Sequence, residues 1–216
     1  MIITADPRRL VALTIDTEHP DRRGWSPGCL ERMLDHLDRA RIPATFFLQG
    51  RWVTAHPHLA TEVRRRGHLV GNHSQFHAPM PLLSRAGQVA DIRAAHLAIL
   101  SVVGVDPRPW FRSPFGAGLK EPKLGRTLAQ LGYRNVGWDV DGRDWEEDRS
   151  PDDVAEALIT GTLAGEGPRI LLLHSWSAAA AAALPAVIDR LVDRDVEFVT
   201  LSNYSTVAPP AERAPQ

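Results

Sequence analysis

At 216 residues the chain fits one domain and can bury a large core. Its formal net charge of -1 gives no electrostatic case for a nucleic acid or an anionic membrane, and its one cysteine, Cys29, excludes an internal disulfide framework and is expected only to pack. No run approaches the roughly 18 apolar residues of a membrane span, and the first strand begins too soon after Met1 for a signal peptide, so a cytoplasmic protein is expected.

Apolar runs alternate with helical patterns along the whole chain. Residues 10–15 (LVALTI) read as a strand. Ser26-Pro27 opens a helix to about Arg41, with serine as cap and proline at the first helical position. Residues 44–49 (ATFFLQ) are the second strand. Pro57 opens a helix closed near Gly67, and Arg64, Arg65 and Arg66 in its last turn suit the helix dipole. Residues 68–72 (HLVGN) are a short third strand. Ser84 begins a long helix whose Val89, Ile92, Ala95, Leu97 and Leu100 fall roughly on one face.

Residues 109–112 (PWFR) are strand four, a helix over about 119–131 ends at Gly132, and 133–138 (YRNVGW) are strand five. Ser150-Pro151-Asp152-Asp153 is a strong helix start: cap, proline, then acids in the first turn. Residues 169–174 (RILLLH) are strand six. The low-complexity run 178–183 reads as a helical lead-in or a flexible connector to a helix over about 184–193. Residues 196–201 (VEFVTL) are strand seven. The alternation implies a parallel sheet. Seven strands without a long charged interruption point to a closed or nearly closed barrel, one domain over 1–207, with a tail at 208–216 expected to be disordered.

The chemistry sits just after the strands. Asp16 follows the first, His73 and His77 the third, Arg112 the fourth, Asp139, Asp141 and Asp144 the fifth, and His174 the sixth. Polar residues delivered by successive strand ends to one rim are how a barrel assembles a site. Two histidines at i, i+4 share a face if their segment is helical, within reach of one divalent ion. H-x-x-x-H alone is more often two exposed histidines, a lone aspartate after a strand is usually a turn former, and a lone histidine after a strand is usually a satisfied core residue. Together they read as a metal-assisted hydrolase. In that reading Asp144 orients His174 by accepting a ring N–H, and Arg112 holds a carboxylate such as Asp16.

These residues carry a resemblance to the polysaccharide deacetylases, the nodulation-protein-B homology domain of carbohydrate esterase family four. It runs from about Leu10 to Ser202, with the five motifs in family order. The T-F-D-D-G motif stands here as Thr14-Ile15-Asp16-Thr17-Glu18. H-[ST]-x-x-H is met by His73-Ser74-Gln75-Phe76-His77, R-x-P-[YF]-G by Arg112-Ser113-Pro114-Phe115-Gly116, D-x-x-D-W by Asp141-Gly142-Arg143-Asp144-Trp145, and L-x-H by Leu172-Leu173-His174.

The resemblance implies a distorted seven-stranded (β/α) barrel that removes acetyl from an N-acetylated sugar or sugar conjugate. It implies a divalent metal on His73 and His77, commonly zinc, with cobalt, nickel or manganese also accepted by such a donor set. Asp16 is then the general base and Arg112 its orienting partner. The backbone N–H of Phe115 helps the metal stabilise the oxyanion, and His174, tuned by Asp144, is the acid for the leaving amine. Trp145 and Leu172 would line the acetyl pocket, while Trp176 either stacks on a sugar face or packs in its loop.

One position departs from the family. The second aspartate of D-D, a metal ligand there, is Thr17 here. Three outcomes stay open: Glu18 reaches the metal, Asp16 coordinates it directly, or the site binds metal poorly and the protein is inactive. His19 next to Glu18 adds a further ligand or sugar contact, although a plain loop histidine is the simpler reading. The competing functions are a deformylase or small-amide hydrolase on the same fold, and a non-catalytic carbohydrate-binding relative with a degenerate metal site. The apparent lack of a secretion signal favours a small intracellular substrate over a wall polymer.

Overall fold

The computed structural model describes residues 10–18, 27–165 and 167–207. His19, Trp25, Ser26 and the tail 208–216 lie outside the described residues. Among the described residues the elements run β1 (Leu10–Thr17), α1 (Cys29–Ala40), β2 (Thr45–Leu48), α2 (Gly50–Ala55), α3 (Pro57–Arg65), β3 (Leu69–Asn72), α4 (Arg85–Val103), β4 (Trp110–Phe111), α5 (Pro122–Gln130), β5 (Arg134–Asn135), β6 (Val140–Asp141), α6 (Pro151–Ala164), β7 (Arg169–His174), α7 (Ala178–Val192), β8 (Glu197–Val199) and α8 (Leu201–Val207).

The described residues group into two compact units: residues 10–15, 27–45 and 138–207 in one, residues 16–18 and 46–137 in the other. In the first, β1 pairs in parallel with β8, Leu10 opposite Glu197, and β7 pairs in parallel with β6, Leu172 opposite Asp141. α7 packs on both α1 and α6 there. Ser150 caps α6 with a reciprocal Asp153 bond, as the sequence motif requires. The alanine run 178–183 is not a connector: it is the first part of α7, capped by Ser177, and it buries Ala180, Ala181 and Ala183. Alanine gives such a run its helix propensity and lets a neighbour approach closely. Cys29 is buried at the start of α1, where it accepts a contact from Arg32 at 3.1 Å.

In the second unit β2, β3, β4 and β5 lie side by side, and the Gln49 N–H donates to the Thr17 carbonyl at the end of β1. The β3–β4 and β4–β5 pairs are parallel. A short helix not expected from the sequence, α2, follows β2 directly. Its first residue must be small, since a Cβ on Gly50 would stand 2.8 Å from Ala95 Cα of α4.

Two expectations need correction. The strand expected over 133–138 is cut to β5, and a further short strand, β6, forms after it at Val140–Asp141. The carbonyls of Val136 and Gly137 are turned to the Arg112 guanidinium instead of a ladder. The buried face of α4 is Gln88, Asp91, Ile92, Ala95, Ile99 and Val103, while Leu97 is 63% exposed and Leu100 also faces out. By composition α4 could cross a bilayer, the one described helix of which this holds. It packs instead on α2, α3, α5 and β3.

Candidate metal and acid–base site

The expected histidine pair is not helical. His73 leaves the end of β3, and the chain turns through a loop in which Ser74 (φ 64°) and His77 (φ 56°) adopt left-handed conformations. Non-glycine residues pay roughly 1–3 kcal/mol each for such backbone. The turn is held from several sides. The Ser74 N–H donates to Asn72 Oδ1 (2.8 Å) and the His77 N–H to Ser74 Oγ (3.0 Å). The Gly50 N–H of α2 donates to the Ser74 carbonyl (2.9 Å). Asp91 of α4 accepts the N–H groups of Gln75 (2.8 Å) and Phe76 (3.1 Å). The outcome is convergence: His73 Nε2 and His77 Nε2 stand 3.1 Å apart.

His73 Nδ1–H donates to the Arg112 carbonyl at 2.9 Å, which fixes the tautomer and turns a bare Nε2 inward. Burial holds this imidazole down at about 4, against the pull of Asp16 in the other direction. Glu18 Oε1 lies 3.0 Å from His77 Nε2. Among the described residues, Glu18, His73 and His77 are the set whose ligand atoms all lie within 4.8 Å of one another. Two imidazole nitrogens and a carboxylate oxygen are a donor set that suits zinc and its neighbours. Thr17 is elsewhere engaged: its hydroxyl donates to the Phe47 carbonyl at 3.1 Å. Extended chain sends residues 16 and 18 to one face and 17 to the other, which explains the split.

Asp16 Oδ1 accepts from Arg112 Nη1 at 2.9 Å, and Oδ2 stands 3.5 Å from His73 Nε2. Arg112 is fully buried. Its other donors go to the Val136 carbonyl (3.2 Å) and the Gly137 carbonyl (3.0 Å), and the guanidinium lies 4.3 Å from the centroid of the Phe47 ring. Each arm is therefore occupied, as a buried cation requires. Phe115 has φ 59° and is 63% exposed, with its ring 4.6 Å from that of His77.

In the other unit, His174 closes β7. Its Nδ1–H donates to Asp144 Oδ1 (2.9 Å) and its backbone N–H to Asp144 Oδ2 (2.9 Å). Ser177 Oγ donates to the Asp144 carbonyl (2.9 Å), locking that loop onto the start of α7. Leu172 is buried and Trp145 is 44% exposed. Trp176 is buried, its ring tilted against the His174 ring at 5.6 Å, so it packs in its loop and offers no open stacking face. Asp139 accepts the N–H of Ile170 in β7, and Asp141 accepts the Arg143 N–H across a turn.

Asp91 and Asn72 are the residues that motif reading missed. Asp91 is an acid on the buried face of α4, a signal visible once the stripe is registered on Ile92, Ala95 and Ile99. Asn72 also donates to the Ile92 carbonyl and to the Tyr133 hydroxyl, and no spacing rule announces it.

The sequence matches the family model described as polysaccharide deacetylase over residues 4–136. A chitooligosaccharide deacetylase of Rhizobium leguminosarum bv. trifolii is 32% identical over 151 residues, 70% of this chain and 67% of that one. The peptidoglycan-N-acetylmuramic acid deacetylase PdaC of Bacillus subtilis is 29% identical over 205 residues, 94% of this chain and 40% of that one. The chain thus spans about half the length of several curated relatives that it matches. Among solved structures, an activity-restored mutant of a CE4 family pseudoenzyme from Bacillus anthracis superposes with a TM-score of 0.81 at 26% identity, covering 92% of this chain and 68% of that one. The fold is therefore the (β/α) barrel class expected from the sequence.

Proposed function

The chain belongs to the polysaccharide deacetylase family, and from that premise we propose that it is a metal-dependent amide hydrolase removing the N-acetyl group from an N-acetylated sugar or sugar conjugate. The observation that carries this reading is the Glu18–His73–His77 donor set, rebuilt despite the loss of the family's aspartate at Thr17. Glu18, His73 and His77 are the residues that would hold a divalent ion. When bound, such an ion, zinc first among the candidates, supplies Lewis-acid polarisation of the amide carbonyl and acidifies a water.

Asp16 takes the proton of the attacking water on Oδ2, the oxygen that Arg112 leaves unclaimed. Arg112 holds the carboxylate in one orientation and is itself fixed by the two carbonyls and the Phe47 ring. The Phe115 N–H is assigned to the developing oxyanion. His174 carries the proton for the departing amine on Nε2, because Nδ1–H is committed to Asp144. Trp145 and Leu172 are assigned to the acetyl methyl group. Chitooligosaccharides and peptidoglycan, the substrates in the names of two relatives, define the first substrates to try.

The test is metal stoichiometry on protein purified without chelator, with acetate release from N-acetylated chito-oligosaccharides and formate release from small N-formyl amides assayed before and after chelation. About one metal per chain with chelator-sensitive acetate release supports the deacetylase. Formate alone selects the deformylase alternative. Two observations favour a second reading, a non-catalytic carbohydrate-binding relative: Thr17 departs from the family motif, and a structural neighbour is a mutant of a pseudoenzyme. Glycan binding with neither metal nor turnover selects that reading.

A further inference from the structure

The net charge of -1 conceals a strong division along the chain. Residues 46–137 hold twelve arginines and lysines against four acids, whereas residues 138–216 hold six against fifteen. Part of the basic excess is matched within its own unit: Arg112 by Asp16, Arg65 and Arg66 by Glu62, Arg108 by Asp106. The remainder is concentrated on α4 and α5. These helices bound two adjoining grooves of about 520 and 400 Å³ that share Arg85 and Gln130. Arg93 lines the first; Lys123 and Arg126 line the second, where Glu121 is the one lining acid. Arg85 Nη2 donates to Gln130 Oε1 at 2.6 Å, which holds its guanidinium at the junction of the two grooves. Arg93, Lys123 and Arg126 form no ion pair with any described residue.

Four cations along a concave face, with almost no acid among them, leave a positive potential that their own protein does not cancel. We propose that the α4–α5 groove binds an acidic polysaccharide, a glycan strand bearing carboxylate or phosphate groups. The charges are strung along two connected grooves and do not converge on one point, which suits a polymer better than a single ion. No aromatic residue lines either groove, so the stacking that holds single-stranded nucleic acid is missing. The apolar liners of the first groove include the small Ala86 and Ala90, which give a lipid surface little to bury. Gln130 and Glu121 offer acceptors for sugar hydroxyls. Arginine pairs readily with both carboxylate and phosphate. The groove stands apart from the deacetylation reading in its evidence: metal content tests one and binding tests the other.

The experiment is equilibrium binding to the full chain, at low and high salt, of oligogalacturonate (carboxylate), a phosphomannan oligosaccharide (phosphate) and a neutral chito-oligosaccharide. A single-stranded oligonucleotide and phosphatidylserine vesicles are run beside them. Two triple variants accompany the parent: Arg93→Glu/Lys123→Glu/Arg126→Glu and its glutamine counterpart. The expected result is salt-sensitive binding of one or both acidic glycans, weakened about tenfold or more by charge reversal and less by glutamine, with metal content and thermal midpoint unchanged. Which acidic glycan binds identifies the anionic group. Equal affinity for the neutral glycan, absence of salt-sensitive binding, or indifference to both variants overturns the proposal. Tighter binding of the oligonucleotide or the vesicles also overturns it and reassigns the groove to that partner.

Discussion

Glu18 Oε1 stands 3.0 Å from His77 Nε2, while the residue between Glu18 and Asp16 has its hydroxyl bonded to the Phe47 carbonyl. In the proposed site Glu18, two residues after Asp16 on the same face of the extended chain, takes the place of the missing family ligand. Glu18→Gln keeps the shape and removes the charge. It should lower affinity for zinc by more than the roughly 10–100-fold that losing a mere outer-shell partner costs. Thr17→Val, by contrast, should leave metal affinity as it is and cost about 0.5–1.5 kcal/mol in stability through the orphaned carbonyl. Isothermal titration with zinc and urea unfolding of both variants check the pair. Equal zinc affinity in Glu18→Gln and the parent would remove Glu18 from the ligand set.

Among the described residues Arg112 is the largest fully buried side chain, and it serves Asp16, two carbonyls and the Phe47 ring at once. Arg112→Met leaves Asp16 without its partner in a dry site. The expected loss is about 3–5 kcal/mol, the usual cost of breaking a buried pair from one side. Arg112→Lys should recover only part, since an ammonium cannot reach Asp16 and both carbonyls in a planar fork. Chemical denaturation of the three proteins gives the ranking, and a Lys variant as stable as the parent would contradict it.

Asp91 ties the Gln75 and Phe76 N–H groups to α4, and burial raises its carboxyl above the usual range despite those bonds. Asp91→Asn keeps one acceptor and turns an amide N–H toward a second N–H. Loosening that loop should cut zinc affinity by about 10–100-fold, as outer-shell losses do, and leave the barrel folded. Asp91→Glu should restore part of the affinity. Zinc titration with circular dichroism as the folding control decides; unchanged affinity in the asparagine variant would make Asp91 a packing residue only.

The imidazole of His73 supplies a pH dependence whose sign can be worked out. In the folded, metal-free protein the ring is held down at about 4, from an ordinary 6.5, chiefly by burial. The unfolded chain therefore binds more protons across that window. Stability is fully present above about 6.5 and is lost as the pH falls toward 4, by on the order of 3 kcal/mol. Urea unfolding of the chelated protein at several pH values should show this slope, and His73→Gln should flatten it. A slope of opposite sign would mean that the buried ring is charged.

Most elements, and the pairings of His73 with His77, Arg112 with Asp16 and Asp144 with His174, were legible from the order of apolar runs and the five motifs. Residues 10–17, 45–48 and 169–174 are apolar and β-branched enough to be strands wherever they fall. Three things were not legible. The histidine loop depends on left-handed Ser74 and His77, which sequence spacing mistakes for a helical turn. The break between β5 and β6 depends on a guanidinium from residue 112 taking two carbonyls, a contact more than twenty residues away in sequence. The face of α4 was misjudged because Leu97 and Leu100 are apolar yet exposed, while Asp91 is charged yet buried. In each case a long-range polar contact overrides the local pattern.

His174 and Asp144 give the prediction that separates a catalyst from a binder. Asp144 spends one carboxylate oxygen on the ring and the other on the backbone N–H of the same histidine. His174→Gln should lower acetate release by about 10²–10⁴-fold, the usual weight of a positioned proton donor, with zinc stoichiometry unchanged. Asp144→Asn should act differently. Its amide can still accept one of the two N–H groups, so the ring keeps its place but loses one of its two anchors. kcat should then fall by less than in His174→Gln, while KM holds. Rates and metal content measured together on both variants decide the matter. Undiminished glycan binding with no turnover in the parent itself would instead leave His174 as a structural residue of β7 and favour the non-catalytic reading.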